Sequence, residues 1–158
     1  MLTRQTSKVL LLLALPVLLL FSCDAKRVFE ENRKLEKGIW DSGEKLTFSV
    51  AIADTGQPYS VYLNVRNAME YPYSNLYLFL NTVFPDGRVA RDTVELTLAD
   101  YDGRWLGSGL GSVKFSRFLF QKGVRFHQVG IHLFEFEQGM RVRQLAGIRD
   151  FGLRMEKE

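Results

Sequence analysis

Thiol and imidazole are scarce in this sequence. Its 158 residues include one cysteine, Cys23, and two histidines, His127 and His132. A single cysteine excludes an intramolecular disulfide, and neither histidine has a second ligand at a metal-like spacing, so no metal site is expected. Long apolar runs are missing as well, apart from Val9 to Phe21. That run falls short of the roughly 20 residues a helix needs to cross the hydrocarbon core. There is no internal repeat and little charge imbalance. The formal net charge of +3 drops to +1 without Arg4 and Lys8. A near-neutral domain lacks the basic stripe that nucleic acid requires.

What the N-terminus does contain is ordered. Arg4 and Lys8 precede the uncharged run, and the small residue Ser22 precedes Cys23. This is the layout of a secretory signal peptide, residues 1–22. Leu20-Phe21-Ser22-Cys23 is similar to the bacterial lipobox, whose cysteine becomes the acylated first residue of the mature chain. Cys23 is therefore expected to carry the lipid anchor, several acyl chains together holding a membrane stably where one alone does not. Residues 24–37, DAKRVFEENRKLEK, are mostly charged and read as a solvated tether completing segment 23–37. The folded domain is expected over residues 38–158.

Beyond Gly38 the apolar period is two. Leu46, Phe48, Val50 and Ile52 alternate with small or polar residues, as do Val61, Leu63 and Val65, and Val94, Leu96 and Leu98. Leu76 to Leu80 is apolar on both faces, which predicts a strand buried between two layers. VKFSRFLF, VRFHQV, GIHLFEFE and IRDFGLRME follow, rich in the β-branched and aromatic residues that suit strands. Thr55-Gly56-Gln57-Pro58, Pro85-Asp86-Gly87 and Lys122-Gly123 supply turn chemistry between them. About eight strands predict an all-β antiparallel sandwich, jelly-roll or immunoglobulin-like. The one helical candidate is EQGMRVRQLAG, with Met140, Gln144 and Leu145 on one face and Gly147 as its stop.

Catalytic and cofactor chemistry finds little support. GRWLGSGLGS, residues 103–112, has the spacing G-x-G-x-G, not G-x-G-x-x-G, and a strand-like segment follows it. Without a helix N-terminus there is no dipole to hold phosphate, so no nucleotide is expected. In an extended chain Trp105, Gly107, Gly109 and Gly111 share one side, a trough beside a large ring. Such a trough fits either the domain's own chain or a partner, with the internal fit favoured. Glu135 and Glu137 read as the wet side of a strand backed by Phe134 and Phe136, and Asp100 and Asp102 as loop residues. His127 and His132 read as solvent-facing or core residues. No G-x-S-x-G elbow is present. The chain is read as a non-enzyme with no cofactor. Tyr71, Tyr73 and Trp105, with Gly107, Gly109 and Arg141, are the candidate contact residues for a partner protein or, alternatively, a glycan stacked on the rings.

The order of several short stretches is more specific. Arg66-Asn67, Tyr71-Pro72-Tyr73, Asn75-Leu76, Asp92-Thr93 with Glu95, and Leu98-Ala99-Asp100 run into Gly103, Trp105-Leu106-Gly107 and Gly109. Met140-Arg141, Leu145, Gly147-Ile148, Asp150 and Gly152-Leu153 close the chain. In this order they resemble the GldH family of gliding-motility lipoproteins of the Bacteroidetes. The resemblance implies a lipid-anchored envelope protein, on the periplasmic side of the outer membrane. It also implies an accessory role in surface gliding and the linked type IX secretion machinery, through contacts with other envelope proteins and without catalytic residues.

Overall fold

The computed structural model describes residues 24–158; the leader and Cys23 lie outside the described residues. Ten strands follow one another: β1 (Arg27–Lys34), β2 (Ile39–Asp41), β3 (Leu46–Ile52), β4 (Tyr59–Ala68), β5 (Asn75–Val83), β6 (Val89–Thr97), β7 (Val113–Val124), β8 (Gly130–Gln138), β9 (Gln144–Ala146) and β10 (Ile148–Lys157). A single 3-10 turn, Glu36–Gly38, separates β1 from β2.

The chain is one long antiparallel hairpin that has been rolled up. β1 pairs with β10, β2 with β9, β3 with β8, β4 with β7 and β5 with β6. At the hairpin tip Asp86 Oδ1 accepts the Arg88 amide at 3.0 Å, and Gly87 takes the left-handed φ of 85° that closes the turn. Rolling adds the pairs β10–β4 and β8–β5. The outcome is two four-stranded sheets, ordered β1-β10-β4-β7 and β3-β8-β5-β6, with β2–β9 as a separate ribbon. Of the two sandwiches expected, this order is the jelly roll.

The alternating apolar residues meet between the sheets. Phe48 on β3 and Phe136 on β8 pack on Phe151 of β10, with ring centroids 6.2 and 4.8 Å away. All three rings are fully buried. The β2–β9 ribbon closes one pole by pairing Trp40 with Leu145, both without exposed surface. The opposite pole gathers Asp24, the turns at 53–58, 84–88 and 125–129, and the C-terminus, where Lys157 donates its amide to Lys26 O at 2.8 Å.

Four sequence expectations change. The charged stretch is not a free tether, because Arg27–Lys34 is edge strand β1, paired with β10 throughout. Leu76 to Leu80 is buried on one face only; Tyr77 and Phe79 stand exposed on the outer face, since the sandwich has two layers and nothing covers it. VRFHQV is not a strand beyond Val124. Phe126 instead turns inward between Tyr59 and His132, at 5.5 and 4.8 Å. The expected helix is absent: its residues form a tight turn and strand β9, held by Trp40 on one side and stopped by Gly147 at φ 97°. Two turn signals also serve differently. Residues 55–58 cross between sheets, and Lys122-Gly123 lies inside the end of β7.

Candidate functional site

The residues singled out in the sequence gather at the pole closed by β2–β9. Tyr71 follows β4 and is buried, its hydroxyl donating to Asn75 O at 2.9 Å. Burial, then the neighbouring Tyr73, pushes its phenol pKa upward. Tyr73 lies edge-on to it at 5.6 Å and Trp105 tilts over it at 6.4 Å. The three rings therefore meet, but as a rim of the core: Tyr71 is at its centre and offers no face to a sugar. Gly147 explains the closeness of the chains here. A Cβ on it would lie 2.9 Å from Tyr71 Cα.

The glycine run is strapped to its own domain. Asp100 shapes its start, with Oδ1 accepting the amides of Asp102 and Arg104 at 3.0 and 2.8 Å. Arg104 bridges both carboxylates, so Asp100 and Asp102 hold a turn. Ala99 and Trp105 form a bridge, and Ser108 exchanges two backbone hydrogen bonds with Phe115 of β7. A Cβ on Gly107 would sit 2.8 Å from Phe115 O, and one on Gly109 would sit 2.7 Å from Val113 O. The trough therefore holds β7, the chain's own strand. It does not extend to Gly111, which bends away at φ 80° and meets nothing. Arg141 is exposed in the β8–β9 loop and makes no ion pair among the described residues.

Sequence reasoning missed two features. The first is a set of exposed apolar tips at the same pole: Tyr101 and Leu110 are fully exposed, and Leu106 and Met69 more than half. They flank the glycine turns, so a reader following turn chemistry passes over them. The second is a charged network on the outer face of the β1-β10-β4-β7 sheet. Arg154 of β10 is only 7% exposed, yet it meets Glu30 of β1, Glu156 and Asp24. Arg117 of β7 reaches Glu30 from the other side at 2.7 Å. Burial alone would raise the Glu30 carboxyl, but Arg154, Asn64 and Arg117 outweigh it and hold it below the usual range. Asp24 is lowered too, chiefly by its hydrogen bond from Arg154. Through this contact the residue next to Cys23 is fixed to the body of the roll.

The remaining titratable candidates do not converge. His132 is buried between Phe84 and Phe126, and burial lowers its pKa against the opposing pull of its hydrogen bond to Gly130 O. His127 is exposed on the neighbouring turn. Glu135 and Glu137 face outward, both meeting Lys45 at 3.5 and 3.3 Å. No cluster of three metal-ligating side chains occurs among the described residues. No helix among them is long and apolar enough to cross a membrane.

Residues 27–155, from the first strand of the roll to the last, match the family model described as GldH lipoprotein. The chain belongs to the GldH lipoprotein family. It is 34% identical over 148 residues to a "Gliding motility lipoprotein GldH homolog" of Christiangramia forsetii, spanning 89% of this chain and 90% of that one. It is 32% identical over 154 residues to the "Gliding motility lipoprotein GldH" of Flavobacterium johnsoniae, spanning 93% and 95%. Several stretches that carried the resemblance now have structural roles. Asp150 is buried under Arg66 at 2.6 Å, Gly147 admits Tyr71, and Gly107 admits β7.

Proposed function

We propose that this chain is a lipid-anchored, non-catalytic component of the gliding motility apparatus and the associated type IX secretion machinery. It sits on the periplasmic side of the outer membrane, anchored through Cys23, and acts by contact with other envelope proteins. The observation that carries this reading is kinship over the whole roll, with two relatives named for gliding motility matched along about 90% of their length. The fold is consistent with it. Arg154 fixes Asp24 at one pole, so an anchor on the preceding residue leaves the pole bearing Tyr101, Leu106 and Leu110 directed away from the bilayer.

Affinity purification of the acylated protein from native membranes tests the reading. Recovery of motility or secretion components is expected. Recovery of none, with secretion unchanged in a deletion strain, would overturn it.

A further inference from the structure

The pole that holds Asp24 is a braced end. β10, β4 and β7 meet there, Lys157 opposite Tyr59 and Tyr59 opposite Val124. The connections at 53–58, 84–88 and 125–129 are stitched to one another. Arg125 Nη1 donates to Gly56 O at 3.0 Å, and Gln128 Nε2 donates to Asp86 at 2.9 Å. A Cβ on Gly130 would lie 3.2 Å from the Pro85 ring. Only a shallow depression remains between them, bordered by Thr55, Pro85, His127 and Val129.

The carboxylates of this end are drawn back onto the chain's own donors. Asp24 and Glu156 meet Arg154. Asp54 accepts from the Gly56 amide and from Gln57 Nε2, both at 2.8 Å, and Asp86 accepts from Arg88 as well as Gln128. Glu158 accepts from Ser60 Oγ at 2.6 Å and from the Gly123 amide at 2.7 Å. The lysines of the same end are not held. Lys26, Lys122 and Lys157 are exposed and make no ion pair among the described residues. Beside them Val89 and Val129 are more than half exposed. Restrained acids, long unpaired cations and small apolar tips suit a lipid headgroup layer, where ammonium groups meet phosphate and methyl groups meet the acyl boundary.

Position decides what covers this end. The Asp24 side chain is pinned to Arg154, and one peptide unit, about 3.8 Å from Cα to Cα, separates it from residue 23. Acyl chains on Cys23 therefore bring the whole end to the bilayer surface. β10 runs for ten residues at roughly 3.3 Å each, which sets the opposite pole about 30 Å away.

We propose that this end of the roll docks on the bilayer, with Lys26, Lys122 and Lys157 against lipid phosphates and Val89 and Val129 in the headgroup layer. The domain then stands in one orientation instead of swinging on its anchor. The inference rests on the reading of Cys23 as the acylated residue, and its test separates the two.

The sequence has no second cysteine, so in the purified acylated chain Val129→Cys and Leu110→Cys each place a single nitroxide label. The vesicles are phosphatidylethanolamine with phosphatidylglycerol. Power saturation should find label 129 in the headgroup layer, shielded from a water-soluble nickel chelate, and label 110 in water. Each lysine near an anionic surface contributes a factor of about five, so Lys122→Gln should lower the ratio of docked to undocked label 129 by about fivefold. Lys26→Gln, Lys122→Gln and Lys157→Gln together should open label 129 to the chelate as fully as label 110. That variant should keep the wild-type melting temperature and still float with the vesicles. Arg141→Gln, which removes a charge at the far pole, should change nothing. Equal chelate access at 129 and 110 in the otherwise wild-type chain overturns the docking and leaves the anchor in place. So does a triple variant within about twofold of its parent, or an Arg141→Gln effect as large as that of the lysines. Cys23 without acyl chains by mass spectrometry, or a chain that does not float with vesicles, overturns the anchor and the docking with it.

Discussion

Replacing Arg154 by methionine probes the charged network where it is most exposed to failure. The Arg154 side chain is 7% exposed and its guanidinium faces Glu30, Glu156 and Asp24, while the Glu30 side chain is only 18% exposed. Removing one partner of a buried ion pair leaves an uncompensated charge and typically costs about 3–5 kcal/mol. Here Arg117 still reaches Glu30 at 2.7 Å, which places the expected loss near the lower bound, about 3 kcal/mol at neutral pH. The pH dependence fixes the cause. Glu30 has a folded pKa below its unfolded value, so its stabilisation is present above the ordinary carboxylate range and is lost as pH falls through the folded value. In the variant the cation is gone and the carboxyls protonate more readily, so the gap between variant and wild type should narrow toward acid. Urea unfolding between neutral and acid pH measures both. A loss below about 1 kcal/mol, or one that does not change with pH, would refute the network as a stabilising element.

Gly152→Ala should destabilise by about 1–3 kcal/mol, because the new Cβ would fall 2.0 Å from Asn32 Oδ1 and 2.7 Å from Glu31 O; thermal unfolding reads it. Gly109→Val should cost about 2–4 kcal/mol, combining a left-handed φ of 137° with the contact to Val113 O. A folded, equally stable Gly109→Val protein would mean that the glycine run is not internal packing. Phe151→Ala removes the ring between Phe48 and Phe136 and should cost about 3–5 kcal/mol in chemical denaturation.

The central strands were legible because burial on one face writes a period of two into the chain. Leu46 to Ile52 and Val61 to Val65 are inward at alternate positions as the pattern required. β1 was not legible for the converse reason. Register with Leu153 and Phe151 turns Glu31 and Arg33 inward, but at the rim of an edge strand. There Arg33 lies 6.0 Å over the Phe48 ring and pairs with Glu31 at 2.7 Å. Charges can point inward where the sandwich ends, and they erase the apolar signal. β9 is three residues long, too short to show any period. At the candidate site the aromatic cluster was visible as Tyr71, Tyr73 and Trp105, but the burial of Tyr71 depends on Gly147, a contact between chain segments far apart in sequence. The Arg154 network joins β1, β7 and β10, and only the register reveals it.

The most direct measurement is colony spreading of a deletion strain complemented in parallel with the wild-type chain and with Cys23→Ala. The wild type should restore spreading and membrane fractionation, while Cys23→Ala, folded but unanchored, should restore neither. Normal spreading of the deletion strain, or full rescue by Cys23→Ala, would contradict it.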